Sequence, residues 1–421
     1  MTSSQLTEDL NRDHAAELKQ AAARLEGTVR HTTPVPSKVL TDLVGEEVIL
    51  KPENLQVTGS FKIRGAYNKI ASLTDEQLAH GIVTASAGNH AQGVAYAARE
   101  RHAKATIVMP TNTPPLKVDA TRAYGADVVL EGEVFDDSSA YAQKLADEQG
   151  MTLVHPFDDY QVLTGQGTIA LEILKDVPNV TDVVVPLGGG GLGAGVALAI
   201  KTFAPNVRVI GATPEGSPAW RDSLAAGHVV PADAVHTSAE GVAVKVPGEL
   251  TFALLHRYLD DLIQVSEQEI SEMILTMLEK HKLVVEAAGA VSLAALEKLR
   301  AKSEVFRSAE GRHVIVPIIS GGNIDTVTIG AVIQRGMISR GRIMQFSVEL
   351  PDTPGQLVQI AQHLAANRAN VIELNHDQFK ASAHYSNAVL LEVTVETNGP
   401  DHIAQILDDL RRSGYNPKQI Y

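Results

Sequence analysis

The 421-residue chain contains no cysteine. That excludes disulfides, cysteine-ligated zinc, iron–sulfur clusters and a thiol nucleophile, and it fits a reducing compartment such as the cytosol. Positive charge is in deficit: 36 Lys and Arg against 50 Asp and Glu leave a formal net charge of −14. Such a surface repels nucleic acid and anionic membrane. Long hydrophobic runs are absent too. The most apolar stretch, Val183 to Ile200, holds Pro186 and six glycines, so it reads as strand–turn–helix and not as a membrane span. The opening MTSSQLTEDLNRDH is polar and mixed in charge, unlike a secretory signal. The expectation is a soluble, acidic, cytoplasmic globular protein, long enough for two or three domains.

What is present is alternation. A charged helix is expected from about Glu8 to Leu25. Apolar, β-branched runs follow at 81–86, 104–110, 126–132, 182–188, 207–214, 262–266 and 313–320, with helical patterns between them. The runs are continuous and do not alternate with polar residues, as in parallel strands covered on both faces. Ser266 to His281 opens with Ser and a Glu three residues on, a capping box. Strand–helix alternation implies an open α/β sheet, whose sites lie at the carboxyl ends of strands. The pattern changes after about Arg342. Residues 344–421 read as βαββαβ: strand 344–350, turn 351–356, helix 357–369, strand 370–377, strand 387–397, helix 401–413 and a short strand near 418–421. The boundary is expected near Ser339–Ile343.

Five segments carry chemistry. In Thr58-Gly59-Ser60-Phe61-Lys62-Ile63-Arg64-Gly65, Lys62 sits where a turn gives way to a helix over 65–72. A helix N-terminus and the nearby Arg64 would both disfavour its ammonium form, which makes a lysine nucleophilic. The bland reading is a solvated lysine in a basic turn. Ser86-Ala87-Gly88-Asn89-His90 follows strand 81–86 and opens a helix, whose unpaired amides suit a carboxylate. It would equally serve as an ordinary cap. Asn89 offers both donor and acceptor to a ring hydroxyl. Gly188-Gly189-Gly190-Gly191-Leu192 lies between a strand and a helix and can wrap a phosphate. Gly188, Gly190 and Gly193, with Glu215 after strand 207–214, also fit a dinucleotide pattern, so an NAD-dependent oxidoreductase competes. Ser320, at the end of strand 313–319, could bond a heterocyclic nitrogen. Glu286 precedes a small-residue helix, where it could simply complement the dipole. Together these supply a reactive lysine, a phosphate cradle, an anion-binding helix start and a ring-nitrogen partner. That inventory suits pyridoxal phosphate. No metal-ligating set stands out.

The strings KPENLQVTGSFKIRGA, TASAGNHAQGVA, GQGTIALEIL, PLGGGGL, EAAGA and SGGN, in order from about Leu25 to Arg340, resemble the threonine dehydratase (threonine ammonia-lyase) family of fold type II pyridoxal phosphate enzymes. The resemblance implies a two-subdomain open twisted sheet, tryptophan synthase beta-like, over 1–342, with a smaller subdomain at roughly 55–160. It implies Lys62 as the Schiff-base lysine, Asn89 on the cofactor's ring hydroxyl, and Gly188, Gly189, Gly190, Gly191 and Leu192 on its phosphate. Ser320 would face the pyridine nitrogen, and Ser86, Ala87, Gly88, Asn89 and His90 would bind the substrate carboxylate. Phe61, Glu286 and Gly241 are placed near the cofactor. Residues 343–421 resemble an ACT-type α+β regulatory domain, whose ligands bind at the first turn, here Asp352, Pro354, Gly355, Gln356 and Leu357. A domain kept for oligomer contacts is the alternative.

The implied reaction is β-elimination from L-threonine to 2-oxobutanoate and ammonia, with L-serine giving pyruvate. It would be the first step toward isoleucine, with isoleucine or valine as effector and a homodimer or homotetramer as the assembly. A catabolic dehydratase and a serine racemase are close alternatives. A racemase's divalent-cation site would want acids near Thr213 and Ala219, and neither is acidic.

Overall fold

Each expected apolar run becomes a strand, with Asp127–Leu130 and Asp261–Val265 at sheet edges. The structure, a computed structural model, describes residues 3–302, 312–377 and 388–421. By internal contacts it divides into Met1–Ile324 and Asp325–Tyr421.

The first unit holds two sheets. The larger runs, in space, Val35–Pro36, Glu47–Pro52, Val314–Ile319, Asp182–Pro186, Arg208–Pro214, Asp261–Val265. Its first pairing is antiparallel and the other four are parallel. Asp182–Pro186 and Val314–Ile319 are buried at every position, which is why their sequences show no alternation. The helices Tyr160–Asp176 and Gly191–Phe203 pack together so closely that a Cβ on Gly195 would lie 2.0 Å from the Leu163 carbonyl oxygen. The smaller sheet runs Asp127–Leu130, Ala105–Met109, Ile82–Ala85, Thr152–Leu153, all parallel. It has its own core of Ile63, Ile70, Ile82, Val94, Ile107 and Met109.

In the second unit the helix Thr326–Ser339 precedes strand Ile343–Pro351, helix Gln356–Ala366, strands Asn370–Asp377 and Ala388–Glu396, helix Pro400–Arg412 and strand Lys418–Gln419. The four strands form one antiparallel sheet, with Ile343–Pro351 between Lys418–Gln419 and Ala388–Glu396. Here burial does alternate. Met344, Phe346, Val348 and Leu350 face the helices and their neighbours do not, as in a sheet covered on one side.

Several expectations change. The N-terminal helix is two helices, Ser3–Leu10 and His14–Leu25. Asp13 breaks it by capping the second, accepting from the Ala16 amide. The capping box at Ser266 forms, but the α-helix ends at Thr276 and continues as a π-turn to His281. The strand Glu47–Pro52 is an addition. Its apolar run is only three residues long, and its buried Lys51 reads as a surface residue until Glu172 is seen 2.5 Å away. The helix Thr326–Ser339 clusters by its contacts with the C-terminal strands, so that division falls at 324/325. Asn387, the expected start of a strand, lies outside the described residues. Among the described residues no helix is long and apolar enough to cross a membrane.

Candidate active site

Parallel strands deliver their following loops to one edge of each sheet, and the motifs sit on those loops. Lys62 opens the helix Lys62–Ala71. Its approach is pinned to the end of strand Val314–Ile319: Ser60 bridges Gly321, and the Phe61 amide donates to the Ser320 carbonyl at 3.0 Å. Gly93, on the helix Asn89–Glu100, lets that helix cross directly over Lys62, since a Cβ there would meet the Lys62 carbonyl carbon at 3.1 Å. Lys62 Nζ donates to the Pro156 carbonyl at 2.8 Å and lies 5.3 Å from the Phe61 ring centre. Lys62 is half-buried by surface area, but its amine is densely surrounded by protein. That desolvation drops its pKa to about 8, while the Glu286 carboxylate pulls the other way.

The expected help from Arg64 is absent. Arg64 is fully buried, and its guanidinium binds Glu53 twice at 2.8 Å and Glu172 at 2.7 and 3.0 Å. Its charge is spent inside that cluster, and burial alone makes the Lys62 amine less basic.

Asn89 lies at the start of the helix Asn89–Glu100, behind strand Ile82–Ala85. Its Nδ2 donates to Glu286 Oε1 at 2.7 Å, and its Oδ1 accepts from Asn323 Nδ2 at 2.8 Å. Burial pushes the Glu286 carboxyl up to about 7, against the bond from Asn89. Ser86, Ala87, Gly88 and Asn89 are all half-buried, so they border open space. One amide expected to be free is not: Gly88 donates to Ser86 Oγ at 3.2 Å. His90 is buried and donates from Nε2 to the Val154 carbonyl at 3.1 Å, leaving Nδ1 without a partner among the described residues. Burial and nearby Lys62 hold it neutral, its pKa lowered to about 3.

The glycine turn follows strand Asp182–Pro186 and caps the helix Gly191–Phe203. Gly190 has φ +96°, and a Cβ there would also strike Trp220 and Thr251 at 2.5 and 2.6 Å. A Cβ on Gly189 or Gly191 would strike Phe157, and one on Gly188 would strike Val242 beside the Gly241 carbonyl. The turn's carbonyls face outward to fixed donors: Trp220 Nε1 to Gly188 at 2.5 Å and Thr251 Oγ1 to Gly189 at 2.7 Å. Among the described residues the amides of Gly189, Gly190, Gly191 and Leu192 make no backbone hydrogen bond. These are unpaired donors at a helix N-terminus.

The link between Lys62 and this turn is the segment His155–Asp158, which sequence reasoning passed over. Pro156 holds the Lys62 amine, and Phe157 floors the glycines. Asp158 Oδ1 accepts from the Leu250 and Thr251 amides at 3.0 and 3.2 Å. His155 Nδ1 accepts from the Phe157 and Asp158 amides, which fixes its proton on Nε2. The signal available was the string HPFDD, polar residues following a short strand.

The structure therefore brings Lys62, Asn89, Glu286, Ser320, His90 and the glycine turn together. Gly241 is exposed and packs beside Ala288. Glu215, the candidate ribose acid of a dinucleotide site, instead pairs with Lys298 at 3.3 Å. In the second unit Asp352, Pro354, Gly355 and Leu357 are exposed and Gln356 is half-buried. A cavity of about 510 Å³ there is bordered by Leu350, Pro351, Gln356, Tyr415 and Lys418.

A desolvated amine, a cradle whose every Cβ would collide, and unpaired amides at a helix start fit a phosphorylated aldehyde such as pyridoxal phosphate. Known proteins agree. Residues 25–324 match the family described as pyridoxal-phosphate dependent enzyme. An L-threonine ammonia-lyase of Geobacter sulfurreducens is 44% identical over 94% of this chain and 97% of its own length. The processed form of threonine deaminase isoform 2 from Solanum lycopersicum superposes with a TM-score of 0.71 at 37% identity, covering 77% of this chain and 94% of that one. Maize serine racemase does so with a TM-score of 0.72 at 34% identity, covering 77% and 98%.

Proposed function

The chain belongs to the pyridoxal-phosphate dependent enzyme family, and from that premise we propose that it deaminates L-threonine to 2-oxobutanoate and ammonia. One observation carries the reading: the segment Pro156–Phe157 joins a desolvated lysine amine to a glycine turn built around unpaired amides. The bound cofactor supplies a conjugated sink for the electron pair left by Cα deprotonation. Lys62 would bond the cofactor's aldehyde carbon with release of water, and its amine, once freed by the substrate's own amine, would take the Cα proton. Its lowered pKa keeps a fraction of the amine neutral near pH 7. The amides of Gly189 to Leu192, behind Gly188, would hold the phosphate. Ser320 would meet the ring nitrogen with a hydroxyl, which brings no charge there. Ser86 to His90 would hold the substrate carboxylate, and Asn89 would also meet the ring oxygen. The β-hydroxyl leaves as water, taking up a proton equivalent to the one removed from Cα, and hydrolysis of the released enamine gives the 2-oxoacid and ammonia. L-Serine is a second substrate, because one missing methyl is worth only about 1–3 kcal/mol.

The catalytic part is assigned to 1–342, with its smaller subdomain at roughly 55–160, and an ACT-type effector domain to 343–421. The cavity beside Gln356 and the antiparallel βαββαβ unit support that assignment. Isoleucine or valine is the expected effector, isoleucine biosynthesis the expected setting, a homo-oligomer in the cytoplasm the expected form. The similarity to maize serine racemase favours a second reading, racemisation of serine. Against it, Thr213 and Ala219 are not acidic.

The test is turnover of threonine and serine, scored for 2-oxoacid and for D-serine, with and without isoleucine, valine or AMP. D-Serine without 2-oxobutanoate would replace dehydration by racemisation. Threonine kinetics unmoved by isoleucine or valine would remove the effector assignment.

A further inference from the structure

We propose that Glu286 is a positioning residue: through Asn89 it sets the donor that meets the cofactor's ring oxygen, and its charge supports the protonated Lys62 nitrogen. The proposal rests on the cofactor assignment made above. The direction of every hydrogen bond in the chain follows from its far end. The Thr58 carbonyl can only accept, so the group 2.8 Å from it is the Asn323 amide nitrogen. That nitrogen's second hydrogen goes to Asn89 Oδ1 at 2.8 Å. Asn89 Nδ2 must then point the other way, where Glu286 Oε1 accepts it at 2.7 Å. Turning the Asn89 amide over would set its oxygen against a carboxylate and its NH2 against another NH2. One hydrogen on Asn89 Nδ2 remains, so Asn89 presents it to the ring oxygen.

The backbone holds this arrangement in place. The Glu286 amide donates to the Gly321 carbonyl at 3.1 Å, and a Cβ on Gly321 would come 2.0 Å from Glu286 Oε1 and 3.2 Å from Asn89 Nδ2. Only glycine leaves room for the pair beside Ser320. The charged groups that act on Glu286 are Lys62, Lys117 and Glu240. Lys117 and Glu240 bond each other at 2.6 Å, so their effects largely cancel. Lys62 is the partner that remains, and the backbone brings it close: Ser60, two residues before it, bridges Gly321, where a Cβ would lie 2.0 Å from Glu286 Oε1. Its amine is made more basic by the Glu286 charge, and Glu286 itself ionises near neutral pH.

Two variants separate position from charge. Glu286→Gln keeps an acceptor for Asn89 and removes the charge. Glu286→Leu removes both. Each is purified with cofactor, and two readouts are taken: the pH midpoint of the bound cofactor's visible absorbance and the Kd for pyridoxal phosphate re-added to the stripped protein. Glu286→Gln should keep the wild-type Kd and move the midpoint to lower pH. Glu286→Leu should move the midpoint likewise and weaken Kd about tenfold, the loss of one hydrogen bond to a charged group. Asn323→Ala should weaken Kd without moving the midpoint by as much as Glu286→Gln does. An unmoved midpoint in Glu286→Gln overturns the electrostatic half. A wild-type Kd in folded Glu286→Leu overturns the positioning half. A wild-type protein that binds no pyridoxal phosphate would instead overturn the cofactor assignment.

Discussion

Gly190 and Gly355 make nearly the same local structure in two regions of the molecule. Each ends the turn after a strand, each has a positive φ (+96° and +100°), and each caps a helix. Their surroundings differ. A Cβ on Gly190 would collide with Trp220 and Thr251, whereas one on Gly355 would meet nothing within 4 Å. The first turn is buried among Phe157, Trp220 and Thr251; the second stands in solvent. A glycine at a helix start is therefore not yet a site. What makes the first one a cradle is that distant segments close around it and leave only its amides for a ligand.

Four substitutions test how far that difference reaches. Lys62→Met should have the largest effect: loss of the visible absorbance and a fall in threonine turnover of roughly 10⁴-fold or more. The same variant reports on burial. In the cofactor-free protein the folded Lys62 pKa of about 8 lies below its ordinary 10.5. Between those values the unfolded chain binds more protons, so wild-type stability rises with pH. Lys62→Met should therefore be more stable than wild type below pH 8, by about 3 kcal/mol at most, with the gain fading toward pH 10.5. Denaturant titrations across that range measure it.

Arg64→Met strands Glu53 as a buried charge and should cost about 3–5 kcal/mol in chemical denaturation. A small loss would show that the Glu53–Glu172 cluster is wetter than its geometry. Gly190→Ala combines backbone strain of about 1–2 kcal/mol with overpacking of about 1–3 kcal/mol. It should lower Tm and release the cofactor. Gly355→Ala carries the strain alone, about 1–2 kcal/mol. It should leave threonine turnover without effector unchanged, as steady-state kinetics would report. Equal losses of cofactor affinity in the two glycine variants would break the contrast.

The parts of the candidate site that a local string can announce are the ones the sequence placed. Lys62, Asn89, the glycine turn and Ser320 each lie at a strand end or helix start that a short string announces, and the structure brings them to one place. The supports were not readable. Lys62 and Pro156 are 94 residues apart, Asn89 and Glu286 are 197 apart, and Asn323 and Asn89 are 234 apart. Nothing in a local pattern states such pairings. The misreading of Arg64 has the same origin. A charge two residues from a nucleophile looks like its neighbour, but along a helix it points elsewhere, here into Glu53 and Glu172.

Local pattern sufficed for the alternation of strands and helices, the shift from continuous to alternating burial near residue 343, and the positions of the Lys62 and glycine-rich turns. These depend on periodicity and backbone freedom, which act over a few residues. Which turns are enclosed, what lowers the Lys62 pKa and which way the Asn89 amide faces came from the folded packing instead. Desolvation and hydrogen-bond direction depend on atoms brought from far along the chain, and those exist as neighbours only once the sheets have formed.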